Sequence, residues 1–344
     1  MPNPLVMHHQ SMGARLEQGR IPLSYATPVE EYWAIRNRSG MADVSHLGLL
    51  QVTGKDRLSF LNGLLTNEIL KLTEGTGIRS ALLNTKARVL ADLYLYAGED
   101  DLIIDTGDVP GASVRDILER FIITEDVQVE DITPGFVHLT LQGQQASENA
   151  RELFGVTFAD MKPLQHKMLG PTMIVNRDRT GQLGYDLLIP NGEAEAVWQS
   201  LLLKGVTPVG QEALEILRLE AGYSRYGIDV DENTIILEAG YKDAVSFNKG
   251  CYLGQEVVAR ATHIGRVNKN LVQFQTDSDN VPSVKSKFVS NGKEAGYVTS
   301  AAFSPGLKVV VGLGYAQRDF AREGTKLIIE SEKGLLPTVI TKLA

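Results

Sequence analysis

The pattern of the C-terminal segment constrains the fold most. From Leu271 onward helical spacing stops, and short apolar runs at 271–276, 287–290, 295–301, 309–316, 326–331 and 336–342 are separated by turn residues at intervals of about ten. Six such runs predict a small β-barrel. Upstream the signals are mixed. Thr27-Pro28-Val29-Glu30 combines a Thr cap, a first-turn Pro and a Glu three residues after the cap, which predicts a helix over 28–38 with Gly40 as its C-cap glycine. Leu58, Leu61 and Leu65 give 55–65 one apolar helical face. Runs at 47–53, 78–84, 88–96, 102–105, 136–142, 171–177 and 183–189 read as strands, and 143–154, 193–204 and 211–221 as helices. There is no strict β-α alternation. The expected fold is therefore α+β, with antiparallel sheets and packed helices followed by the barrel.

At 344 residues the chain is long enough for two or three domains with real cores. Hydrophobic residues make up 43%, and no apolar run approaches the roughly 18 residues of a bilayer-spanning helix, so a soluble protein without a membrane partner is expected. Met1–Arg20 does not read as a signal peptide, which makes a cytoplasmic, reducing compartment the expectation. Lys+Arg 34 against Asp+Glu 42 leaves a net charge of −8, so nucleic-acid binding would need a local basic patch. The single cysteine, Cys251, excludes an intrachain disulfide and a four-cysteine metal cage. His8 and His9 fall in the N-terminal tail, while His46, His138, His166 and His263 lack ligand spacing, so no metal site is expected. Gly312-Leu313-Gly314 lacks the third glycine and the following helix of a nucleotide-binding turn, and reads as a strand-end feature.

Three residues carry chemistry of interest. Cys251 sits in Lys249-Gly250-Cys251-Tyr252-Leu253-Gly254-Gln255-Glu256, with a helix predicted from Gln255. A neighbouring Lys and a helix N-terminus both favour thiolate, which describes a reactive cysteine; a small buried hydrophobe in a tight turn is the alternative. Asp92 interrupts the apolar run 89–96 on the face of Leu90 and Tyr94. It is either an exposed acid on a strand edge or a carboxyl in a pocket that raises its pKa for acid–base work. Asp186, in the strand 183–189, is structural or presents a carboxylate to a paired donor edge.

Together these segments resemble the glycine-cleavage T-protein (aminomethyltransferase) superfamily over nearly the whole chain. The likeness runs through Gly40-Met41-Ala42-Asp43-Val44-Ser45-His46, Leu82-Leu83-Asn84, Asp92-Leu93, Thr180-Gly181 to Asp186, Arg218-Leu219-Glu220-Ala221-Gly222 and Gly296 to Ala301. Residues 249–256 are similar to the K-G-C-Y-x-G-Q-E signature of its folate-binding branch, linked to iron–sulfur cluster maintenance and tRNA modification. The resemblance implies a ring of three subdomains: a folate core of two interleaved subdomains over 1–265 and a barrel over 266–344. It implies tetrahydrofolate as cofactor, Asp92 and Cys251 as reacting groups, and folate-binding residues at Asn84, Asp186, Arg218, Tyr223, Lys249, Tyr252, Gln255 and Glu256. Two departures stand out. Arg79 occupies a position that is usually tyrosine in the aminomethyltransferases, and Leu214 one that is usually arginine. The expected function is accordingly a tetrahydrofolate-binding protein that assists iron–sulfur enzymes or tRNA modification through Cys251, with aminomethyl transfer as the alternative. Arg260, His263, Arg266 and Lys269 form the candidate patch for tRNA or a client protein, or else a solvated surface stripe.

Overall fold

The computed structural model describes residues 3–263 and 267–343. The chain divides into two compact units. The first comprises Met1–Phe60, Ile69–Ile78 and Leu93–Glu215, the second Leu61–Glu68, Arg79–Asp92 and Ile216–Ala344. The barrel strands start at Lys269, but the unit that holds them takes in chain from three separate stretches.

In the first unit the chain weaves between two sheets. Gly40–Asp43 lies in a six-stranded sheet, Gly48–Thr53 in a five-stranded one, and Phe136–Gln142 returns to the first. Pairing is antiparallel except where Thr207–Pro208 joins Gly40–Met41 in parallel. Leu49, Tyr96 and Ile103 of the five-stranded sheet pack on Met173, Val175 and Leu188 of the six-stranded one. Trp198 anchors a second core between the helices Ala146–Phe154 and Asn191–Leu203 and the outer face of the six-stranded sheet.

Local chemistry accounts for the elements. Thr27 Oγ1 accepts from Glu30 N while Glu30 returns a bond to Thr27 N, completing the capping box of the helix Pro28–Asn37. Gly40 does not cap that helix. It opens a buried strand, where a Cβ would come within 2.7 Å of Ile35 and 2.8 Å of Val209. His9 is likewise no tail residue: it is buried in the helix Val6–Ser11 and bonded to Asp43 and Tyr25.

In the second unit the strands Lys269–Thr276, Val309–Gln317, Lys293–Ser304, Lys287–Ser290, Lys326–Ser331 and Gly334–Leu343 close a six-stranded barrel. Its interior is filled by Phe274, Phe288, Leu327, Ile329 and Ile340. Gly312 and Gly314 are the small residues this filling requires, because a Cβ there would fall 2.5 Å from the Phe274 ring and 2.8 Å from the Phe288 ring. Outside the barrel, Leu313 and Tyr315 join Ala81, Leu83, Val89, Ile236 and Tyr241 in a separate core.

Candidate functional site

Asp92 alternates with buried neighbours along the strand Val89–Ala97 and faces the same way as Leu90 and Tyr94, all three half-buried. Its carboxylate receives both forks of Arg79, with Nε 2.9 Å from Oδ1 and Nη2 2.8 Å from Oδ2. The two side chains are only 12% and 16% exposed, so solvent screens this pair little. Arg79 is itself fixed, with Nη1 3.1 Å from Asp243 Oδ1 and its guanidinium 4.0 Å from the centre of the Tyr241 ring. Asp92 is thus a bidentate, paired carboxylate rather than an isolated carboxyl in an apolar pocket. Two of its roughly four lone-pair directions remain for a further donor.

The loop of residues 249–254 is anchored around the same unit. Lys249 Nζ donates to the carbonyls of Asn62 (2.6 Å), Leu65 (2.8 Å) and Asn67 (2.6 Å), at the C-terminal end of the helix Arg57–Leu64. These three acceptors match the three protons of an ammonium. Burial pushes the Lys249 pKa down to about 8. Asn67 then bonds the carbonyls of Arg79 and Asp243, linking the Lys249 anchor to the Asp92 pair. Tyr252 is packed in the core with its hydroxyl pushed up to about 12 by burial. Gly254 adopts φ +82° where a Cβ would meet the Asn84 carbonyl at 2.6 Å, so this position needs glycine on both counts.

Cys251, between these anchors, is exposed. That overturns the reading of a buried hydrophobe. The Lys249 ammonium is committed to backbone carbonyls, and the helix Gln255–His263 begins at the residue where the sequence placed its start. Gln255 is half-buried at the start of that helix. Glu256 is exposed and paired with Arg260 at 2.9 Å, one helical turn on.

Other expected folate contacts have local partners. Asn84 Oδ1 accepts from the amides of Lys86 and Arg88 and holds the turn between two strands. Arg218 is buried, with Nη1 2.8 Å from both the Tyr223 carbonyl and Asp229 Oδ2, and Asp229 in turn accepts from Thr299 and Ser300 of the barrel. Tyr223 is 40% exposed. Arg260 has Glu256 as its partner, and Lys269 Nζ donates to the Tyr297 hydroxyl over the Tyr315 ring. The structure describes no His263 side chain, and Arg266 lies outside the described residues.

Asp186 belongs to the first unit, where it is 1% exposed. Its oxygens accept from Arg179 Nε at 3.0 Å and Nη2 at 2.6 Å, and His138 Nε2 lies 3.3 Å away. Arg179 Nη2 also reaches Asp105 Oδ2 at 3.1 Å. Burial alone would push the Asp186 carboxyl up; the Arg179 guanidinium and His138 outweigh it and hold the group well below the ordinary carboxylate range. Asp186 therefore faces a protein arginine. Asp105, His138 and Asp186 bring ligand atoms within 4.8 Å of one another, the spacing of a cation site, and the cation held there is the Arg179 guanidinium. Sequence reasoning missed this cluster because its members are spread along the chain from Asp105 to Asp186.

Residues 6–249 match the model of the GCVT N-terminal domain, and residues 269–344 that of the glycine cleavage T-protein C-terminal barrel domain. The chain belongs to the glycine-cleavage T-protein family. An aminomethyltransferase of Halothermothrix orenii is 30% identical over 356 residues, covering 99% of this chain and 98% of that protein. One from Nostoc sp. is 31% identical over 334 residues, 94% of this chain and 88% of its own. The solved glycine cleavage system aminomethyltransferase T from Bartonella henselae superposes with a TM-score of 0.93 at 26% identity, covering 100% of this chain and 97% of that one. The α+β fold with its closed barrel is the T-protein fold.

Proposed function

We propose that this T-protein family member is a tetrahydrofolate-dependent one-carbon transferase of the aminomethyltransferase type, acting at Asp92. The full-length likeness to aminomethyltransferases supports the class. The observation that carries the site is the bidentate Arg79–Asp92 pair with acceptor capacity left over. Tetrahydrofolate, when bound, supplies the nitrogens that carry the one-carbon unit, and those N–H groups are donors suited to a fixed carboxylate. Asp92 would hold it by accepting such a donor, and Arg79 keeps the carboxylate in place. Held by two charge-assisted bonds from Arg79, Asp92 is placed for orientation and charge stabilisation. Lys249 and Asn67 position the pair from behind.

The test is ammonia release from an aminomethyl donor in the presence of tetrahydrofolate, alongside a tetrahydrofolate titration. Asp92→Asn should abolish release while binding persists; Cys251→Ala should leave both intact. Absence of turnover with every donor, together with tight tetrahydrofolate binding, overturns the transferase reading. The second reading is a cytoplasmic folate-binding accessory to iron–sulfur enzymes or tRNA modification. It is favoured by one observation, the exposed Cys251 on a loop anchored on both sides. In cells that depend on the protein, Cys251→Ala would then remove function while the fold is retained.

A further inference from the structure

The first unit contains a cavity of about 670 Å³ that shares no residue with the Asp92 site. It opens where the two sheets of that unit part, and this volume lies within the range of small-molecule sites. Its floor is apolar, formed by Ile103, Phe136, Met173 and Leu188. The polar groups around it are acceptors. Glu74 and Glu99 are exposed at its edge, and Asp101 holds one carboxylate oxygen 2.6 Å from the Gln51 amide. His166, which also lines the cavity, is 6% exposed. Its ring bonds the Ala97 backbone, burial lowers its pKa, and Nδ1 is buried with no partner among the described residues. A neutral imidazole that donates through one nitrogen leaves the other as a bare acceptor. Lys167, the basic residue of the lining, turns its ammonium to the Thr157 carbonyl at 3.2 Å.

We infer that this cavity is a binding site for an organic amine with an apolar body. The apolar floor takes the hydrocarbon, and the acceptors Glu74, Glu99, Asp101 and His166 Nδ1 take the ammonium protons. A carboxylate ligand, including the acidic tail of a folate, meets three carboxylates here against the one ammonium of Lys167, which is held by the Thr157 carbonyl.

Calorimetric titration with phenethylamine, against 3-phenylpropionate as the charge-reversed probe, tests the assignment. The amine should bind, and the carboxylate at least about tenfold more weakly. The double variant Asp101→Asn with Glu99→Gln should weaken the amine by about tenfold. Met168→Trp, at an exposed lining position, should block it. Tetrahydrofolate titration and the thermal midpoint of each variant serve as fold controls and should be unchanged. Equal affinity for the two probes, binding of neither, or amine binding indifferent to the carboxamide pair would overturn the inference. Loss of the transferase reading would leave it untouched, because no residue is shared.

Discussion

Replacing Arg179 by Met should expose the energetics of the buried Asp105–His138–Asp186 cluster. Asp105 and Asp186 are each 1% exposed and share the same Arg179 Nη2, at 3.1 Å and 2.6 Å. Methionine fills part of the volume but leaves two buried carboxylates without the guanidinium they share. Breaking a buried pair from one side costs about 3–5 kcal/mol, a large fraction of a total stability of about 5–15 kcal/mol. A drop of about 10 °C in the unfolding midpoint at pH 7 follows. The pH dependence identifies the cause. In the native chain Asp186 is held below its unfolded value of about 3.9, so its stabilisation is fully present above that pH and is lost as pH falls through the lower folded value. In the variant only His138 is left to oppose burial and the carboxyl rises, so the penalty grows as pH rises above about 3.9. The stability gap between native and variant should therefore already be open near pH 4, where the native stabilisation is present, and should widen from there to pH 7, read by urea unfolding at several pH values. Arg179→Lys, which keeps the charge without the fork, should recover part of it. A gap that stays constant from pH 4 to 7, or one below about 1 kcal/mol at neutrality, would refute the reasoning.

Three further outcomes follow from the second unit. Lys249→Met leaves the carbonyls of Asn62, Leu65 and Asn67 without their common donor, and should lower stability by about 2–3 kcal/mol in urea titration. Cys251 should react with a thiol reagent such as dithionitrobenzoate in the folded chain, one equivalent per molecule and without denaturant, since it is exposed; reaction only after unfolding would contradict its placement. Gly312→Ala drives a methyl to 2.4 Å from the Ser300 carbonyl and 2.5 Å from the Phe274 ring, which should destabilise the barrel by at least about 1–3 kcal/mol as measured by its thermal midpoint.

Elements with a local cause were legible before any coordinates. The barrel runs, the capping box at Thr27 and the half-buried face of Asp92 each depend on spacing within a few residues. Gly40 misled because a glycine after a helix suits both a C-cap and close packing, and only the approach of Ile35 and Val209 separates them. The site was legible as single residues but not as pairs. Arg79 stood out as a departure from the family's tyrosine, yet its contact with Asp92 depends on hairpin register. Lys249 was read as an activator of its neighbour Cys251, whereas its partners lie more than 180 residues upstream. Ion pairs of that reach leave no periodic trace in a sequence.

The core that joins Ala81, Leu83 and Val89 to Leu313 and Tyr315 has a consequence for synthesis. The hairpin tip at residues 79–92 leaves the ribosome long before the strand Val309–Gln317 that covers it. The barrel cannot close until Gly334–Leu343, the strand made after all its other strands, pairs with Lys269–Thr276. Apolar side chains of this hairpin must therefore wait uncovered while the chain up to Val309–Gln317 is made, a window in which a holding chaperone or slow elongation would decide how much chain reaches the native state.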